Sequence, residues 1–173
     1  MRLIFGPTND ADVAHYDRVI DCTGAAKIGQ LPGLRVRGEM LCVETNEITL
    51  SRPVRLLHPR HPIYIVPRER HRFMIGATMI ESDDTGLITA RSLMELLNAA
   101  YTLNPVFGEA RVTETGAGVR PAYPDNLPHV THEGRTFYVN GLYRHGFLLA
   151  PAMAGEVARL LLEEGNQPER RAS

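Results

Sequence analysis

Absences narrow this 173-residue sequence before any motif is read. It has no excess of either charge: 19 Lys and Arg against 20 Asp and Glu leave a formal net charge of −1. With no basic surplus there is little counterion release to drive binding, so no nucleic-acid partner is expected. It has no long apolar run either. The longest, Phe147 to Ala152, falls far short of the ~20 residues that cross a bilayer, so no membrane partner is expected. No basic-then-apolar leader opens the chain, which sets the expectation of a cytoplasmic protein. Cysteine is scarce. Cys22 and Cys42 both sit in apolar segments and read as two buried thiols rather than as a disulfide.

Several chemistries are missing as well. No serine lies in a G-x-S-x-G elbow, and neither cysteine has an activating neighbourhood in sequence. Seven histidines invite a metal reading, but the spacing resists it. In "HPRHP", Pro59 and Pro62 prevent the helix that would set His58 and His61 on one face. "HVTH" reads as a loop, and no carboxylate or cysteine cluster stands near it, so no metal is expected. "GAGVRP" supplies Gly116 and Gly118, but Pro121 stands where a dinucleotide fingerprint needs its third glycine. This is no Rossmann fingerprint.

What remains is a patterned globular chain, 43% hydrophobic and 23% charged, long enough to bury a core. Val19-Ile20 reads as a short buried strand ending in the small-residue turn Asp21-Cys22-Thr23-Gly24. A Gly/Pro-rich connection, "IGQLPGLRVRG", follows. Then "EMLCVET", "VRLLH", "IYIVPR" and "RFMIGATM" read as strands, separated by turn signals at Arg52-Pro53, His61-Pro62 and Glu69-Arg70-His71. "TARSLMELLNAAYTLNP" predicts a helix with Thr89 as N-cap, an apolar face of Leu93, Leu96, Leu97 and Ala100, and Pro105 as its stop. "EARVTETGAGVRPA" and "RTFYVNG" read as further strands. A second helix follows, closed by Gly165, with a frayed tail after it. Strands in runs with two main helices predict an α+β fold with a mostly antiparallel sheet.

The second helix begins oddly. Its first residues, Arg144-His145-Gly146-Phe147, offer none of the Ser, Thr, Asp or Asn side chains that usually cap a first turn. Two arginines and a tyrosine also stand where charge or a phenol is costly. Arg120 ends an apolar, glycine-rich strand, Arg144 precedes the uncapped helix, and Tyr64 lies among β-branched residues. An arginine fork with a phenol matches a carboxylate. Taken one at a time, each also reads as a surface ion pair or a half-buried tyrosine.

Four stretches taken as a set, "IYIVPR", "RFMIGATM", "GAGVRPAYPDNLP" and "GLYRHGFLLAPAMAG", resemble the C-terminal half of the FAD-dependent D-amino-acid oxidase family. The resemblance is nearest to its glycine oxidases of thiamine biosynthesis. "YDRVIDCTGA" resembles the strand and turn that close the flavin domain's nucleotide-binding half. The resemblance implies four segments. Residues 1–35 would be the tail end of an FAD-binding domain and 36–135 a substrate-binding antiparallel-sheet domain. Residues 136–165 would be the closing strand and helix of the FAD-binding domain, and 166–173 a frayed tail. The family's G-x-G-x-x-G unit is not in the sequence, so the chain reads as a portion of such an enzyme, lacking the ADP-binding half and inactive alone.

By the same resemblance the cofactor is non-covalent FAD and the substrate a small amino acid. Arg120 would hold the substrate carboxylate, Tyr64 would donate to it, and Arg144 would support the pocket, with Met79 lining it. Thr23, Gly24, Gly146, Phe147, Leu148 and Leu149 would meet the cofactor. The uncapped helix would aim its N–H groups and positive dipole end at the flavin ring. Glycine would be deaminated by hydride transfer, giving imine or glyoxylate, ammonia and hydrogen peroxide, and the full-length protein would form a homo-oligomer. Two other readings stand beside this one: a non-enzymatic α+β module that binds a carboxylate or a protein, and a sarcosine or D-amino-acid oxidase relative.

Overall fold

A computed structural model describes residues 3–26, 34–59 and 62–165. In chain order the described residues form α1 (Asp10–Val13), β1 (Val19–Asp21), a 3-10 turn at Gly24–Ala26, β2 (Leu34–Glu44), β3 (Val54–Leu56), β4 (Ile63–Arg68), β5 (Arg72–Gly76) and β6 (Ile80–Glu81). Then come α2 (Ala90–Leu103), a 3-10 turn at Pro105–Gly108, β7 (Arg111–Ala122), β8 (His129–Glu133), β9 (Thr136–Asn140) and α3 (Gly146–Gly165). The fold is α+β, as expected. It divides into two compact units, Leu34–Arg120 and Met1–Gly33 with Pro121–Ser173.

In the Leu34–Arg120 unit the sheet order is β3-β4-β5-β2-β6, with β7 also paired to β2. The β3–β4, β4–β5, β5–β2 and β2–β6 pairs are antiparallel. Strand alternation sorts the side chains. Leu41, Val43, Ile63, Ile65, Phe73 and Ile75 turn inward and pack with Leu96, Ala99 and Ala100 of α2 and with Phe107. Phe73 meets Phe107 edge to face at 5.6 Å. The opposite face carries Met40, Cys42, Tyr64, Met74 and Gly76, and the pairing places Tyr64, Gly76 and Met40 in one row across β4, β5 and β2.

Helix α2 forms as its pattern predicts. The Thr89 hydroxyl oxygen accepts the Ser92 N–H at 3.2 Å, which satisfies a donor that the helix start would otherwise leave open. Thr89→Ala should therefore lower unfolding free energy by about 1 kcal/mol in denaturant titrations. A shift below about 0.3 kcal/mol would show that the cap contributes nothing there.

The other unit has a three-stranded sheet, β1-β9-β8, in which β1 and β9 run parallel and β8 and β9 antiparallel. Helix α3 is 20 residues long and holds Pro151 past its first turn, where proline removes one i→i−4 bond from the helix.

Several expectations are corrected. His129–Glu133, read as a loop, is strand β8, because β9 supplies the pairing that the local pattern does not announce. β2 starts at Leu34 rather than Glu39, so part of the Gly/Pro-rich connection is strand. "RFMIGATM" is strand only over Arg72–Gly76, with the short β6 starting after it at Ile80, and "VRLLH" is strand only over Val54–Leu56. Cys42 is buried, but Cys22 is exposed, and Ile20 of the supposedly buried β1 is 48% exposed. The expected linker residues 28–33, the turn residue His61 and the tail 166–173 lie outside the described residues.

Candidate functional site

On the outward face of the larger sheet, glycines make room for large polar side chains. A Cβ built on Gly76 would lie 3.0 Å from the Tyr64 phenol oxygen and 3.3 Å from Met40 Cβ, so glycine at position 76 gives Tyr64 room to lean across its neighbouring strand. Along β2 the next outward residue on that face is Gly38, about 7 Å from Met40 at the usual strand rise. A Cβ there would overlap the guanidinium of Arg120. β7 runs opposite to β2: the Thr113 hydroxyl donates to the Cys42 carbonyl, Gly116 faces Met40, and Arg120 reaches Gly38.

Arg120 and Tyr64 are both half-buried and share this face. Arg120 Nη1 donates to the Thr78 carbonyl at 3.3 Å, and among the described residues no carboxylate pairs with it. A half-buried guanidinium has five donors and a planar edge suited to two oxygens at once. This one spends a single donor on a neutral carbonyl. Arg120 therefore presents a cationic fork, and Tyr64 a phenol, to whatever lies over the sheet.

Below that face is a buried ion pair. Arg37 is 2% exposed and Glu39 0%. Arg37 Nε and Nη2 donate to Glu39 Oε1 at 2.9 and 2.8 Å, and its remaining N–H groups reach the carbonyls of Asp84, Gly86 and Leu87. Glu39 Oε1 also accepts the Thr89 N–H at 3.1 Å. Burial pushes the Glu39 carboxyl up. Hydrogen bonds from Ser92, Arg37 and the Thr89 N–H, with the Arg37 charge, outweigh it and hold the group below the usual glutamate value. Thr78 joins the pair to the site: its N–H donates to the Glu39 carbonyl at 3.1 Å, and its Oγ1 accepts the Glu39 N–H at 2.9 Å.

Met79 follows Thr78, is 42% exposed, and lines a cavity of about 190 Å³ with Pro62, Ile63, Arg91 and Glu95. That cavity includes α2 residues and neither Arg120 nor Tyr64. The structure thus brings Tyr64 and Arg120 onto one face and gives Met79 other neighbours.

In the other unit Gly24, at φ +64°, takes a left-handed turn that a side chain would strain, and its carbonyl accepts from Asn140 Nδ2 at 2.9 Å. Thr23 is exposed and bonded to the Asp21 carboxylate through N–H and hydroxyl. Gly24, Cys22, Asn140, Tyr143, Met153 and Val157 border an apolar cavity of about 470 Å³. Partial burial and the Asp21 carboxylate push the Cys22 thiol up, the opposite of what a nucleophile needs. Arg144 is half-buried just ahead of α3 and has a partner of its own.

The start of α3 is uncapped, as its sequence suggests. The first helical bond runs from the Leu149 N–H to the His145 carbonyl at 2.9 Å, and among the described residues no side chain caps the N–H groups of Gly146, Phe147 and Leu148. Phe147 and Leu148 are exposed, at 101% and 75%, while Leu149 is half-buried. Open donors at a positive dipole end beside apolar side chains suit a flat, partly apolar group with an electron-rich edge. The residues present fit FAD.

The sequence profile of FAD dependent oxidoreductases matches residues 4–160. The chain belongs to this family. A candidate thiamine biosynthesis oxidoreductase of Rhizobium etli, ThiO, is 80% identical over the whole of this chain, which spans 53% of that protein's length. The glycine oxidase of Bacillus subtilis is 33% identical over 78% of the chain and 36% of its own length. The crystal structure of Geobacillus kaustophilus glycine oxidase superposes with a TM-score of 0.69 at 30% identity, covering 88% of this chain and 42% of that one. The chain thus spans about half or less of the family members it matches. Among the described residues no group of three or more His, Cys, Asp or Glu side chains could hold a metal, and no helix is long and apolar enough to cross a membrane.

Sequence reasoning missed Gly38, Gly76, Thr78 and the Arg37–Glu39 pair. The signal for Gly76 was present, since a glycine inside a strand marks close approach by another group, whereas Gly38 fell in a segment read as a connection.

Proposed function

We propose that this chain is the substrate-side and flavin-ring-side portion of an FAD-dependent oxidase acting on glycine or another small amino acid, serving thiamine (thiazole) biosynthesis. One observation carries the proposal: the half-buried guanidinium of Arg120, free of any carboxylate among the described residues, on the same sheet face as the Tyr64 phenol. A zwitterionic amino acid brings the missing carboxylate. Arg120 takes its two oxygens and Tyr64 donates a further hydrogen bond, so the α-carbon is held in one orientation. Bound FAD supplies the two-electron oxidation of the substrate C–N bond. With dioxygen taking the two electrons and water hydrolysing the imine, the expected products are imine or glyoxylate, ammonia and hydrogen peroxide.

The N–H groups of Gly146, Phe147 and Leu148 face the cofactor, and Thr23, Gly24 and Leu149 border it. Arg144 supports the substrate pocket. The compact unit Leu34–Arg120 supports a substrate domain within 36–135, while residues 121–135 fall in the same unit as the segments 1–35 and 136–165 proposed for the FAD-binding domain. Exposed Ile20, Phe147 and Leu148 are surface that the rest of a full-length cytoplasmic protein, or its second copy, covers.

The test is a visible absorption spectrum of the full-length protein after loading with FAD and gel filtration. Retained flavin that bleaches when glycine is added without oxygen is the expected result. Retained flavin that no small amino acid bleaches would defeat the proposal.

A further inference from the structure

We infer that Gly38, with the Thr78 carbonyl, is the seat that fixes the pose in which the Arg120 guanidinium meets a carboxylate; this rests on the carboxylate role proposed above. A Cβ on Gly38 would overlap Cζ, Nη1 and Nη2 of Arg120 together. The guanidinium plane therefore lies against the bare backbone of β2. Resting there, it turns Nη1 toward the Thr78 carbonyl.

The seat itself is rigid. Gly38 is buried between Arg37 and Glu39, whose side chains pair with each other, and Arg37 also donates to the carbonyls of Asp84, Gly86 and Leu87 on the far side of the strand. Thr78 is held to Glu39 by the Thr78 N–H, by its Oγ1 accepting from the Glu39 N–H, and by Oγ1 donating to Glu39 Oε2 at 3.4 Å. The rigid ion pair thus acts on substrate through backbone and not by contact. Gly38 and Thr78 are positioning residues.

A methyl group at position 38 separates positioning from folding. What it strikes is the far end of a flexible side chain, so the guanidinium shifts while the strand stays. A displacement of about 1 Å at a binding fork can cost on the order of 100-fold.

In the flavin-loaded full-length protein, Gly38→Ala should raise the dissociation constant of glycolate by about 10-fold or more, read from the visible flavin spectrum. The KM for glycine should rise with it. Oxidation of ethylamine, which has no carboxylate, and FAD retention should stay as in the parent protein. In an Arg120→Leu background the same substitution should add nothing. Unchanged glycolate binding in Gly38→Ala, with binding lost in Arg120→Leu, would overturn the seat and leave the carboxylate role standing. Glycolate binding unchanged in Arg120→Leu would instead remove the carboxylate role itself. Should Gly38→Ala not fold, Thr78→Val, which severs the Oγ1 links to Glu39, carries the test: a smaller rise in the glycolate constant is expected, and no rise overturns the seat.

Discussion

Arg120→Leu in the full-length enzyme is expected to raise the KM for glycine by about 100-fold or more, with protein stability nearly unchanged. The magnitude follows from the bonds removed. Two charge-assisted hydrogen bonds to a carboxylate contribute about 1.5–3 kcal/mol each, and each 1.4 kcal/mol is tenfold in affinity. Together they set a loss of roughly 10² to 10⁴. The fold should survive because, among the described residues, Arg120 holds only the Thr78 carbonyl, and Thr78 keeps its bonds to Glu39. Steady-state kinetics with glycine and with ethylamine make the comparison. A KM for glycine within about threefold of the parent value would take Arg120 out of the carboxylate role.

Local signals carried far along this sequence, and nonlocal ones did not. Thr89 announced α2 because a cap is read from its own next residues, and the periodic leucines named the buried face. The uncapped start of α3 was legible for the same reason. β8 was not, because "HVTH" becomes a strand only through pairing with Thr136–Asn140. The start of β2 hid for a stronger reason. "LRVRG" reads as the end of a Gly/Pro-rich connection, yet Arg37 and Glu39 are buried because the carbonyls of Asp84, Gly86 and Leu87, some fifty positions on, accept from Arg37.

The candidate site divides in the same way. Tyr64 and Arg120 stand out as polar groups in apolar strands, the resemblance gives them roles, and strand register sets them on one face. Nothing local tied either to Gly76 or Gly38, the residues whose missing side chains give them room. Met79 shows the reverse. It sits one residue from Thr78, which bonds Arg120, yet its cavity neighbours come from around α2. Adjacency in sequence did not give a shared surroundings.

The buried pair under the site makes the second large prediction. Glu39→Ala leaves the Arg37 guanidinium at 2% exposure with backbone carbonyls and Asp84, 3.3 Å away and itself 59% exposed, as its remaining partners. Breaking a buried pair from one side costs about 3–5 kcal/mol, a large share of the 5–15 kcal/mol that holds a typical domain. A fall in Tm of roughly 6–20 °C is expected for a protein of this size. Arg37→Met with Glu39→Leu should recover much of it, because no lone charge is then buried. A double variant less stable than Glu39→Ala would overturn that account. The acid limb gives an independent check. Glu39 has a lowered folded-state pKa, so its stabilising contribution is fully present above the ordinary glutamate value of about 4.3 and is lost as pH falls through the lowered value. Glu39→Gln removes this titration, so its stability deficit against the parent should narrow below about pH 4. A deficit constant from pH 7 to pH 3 would mean that the carboxylate charge is not what the network stabilises.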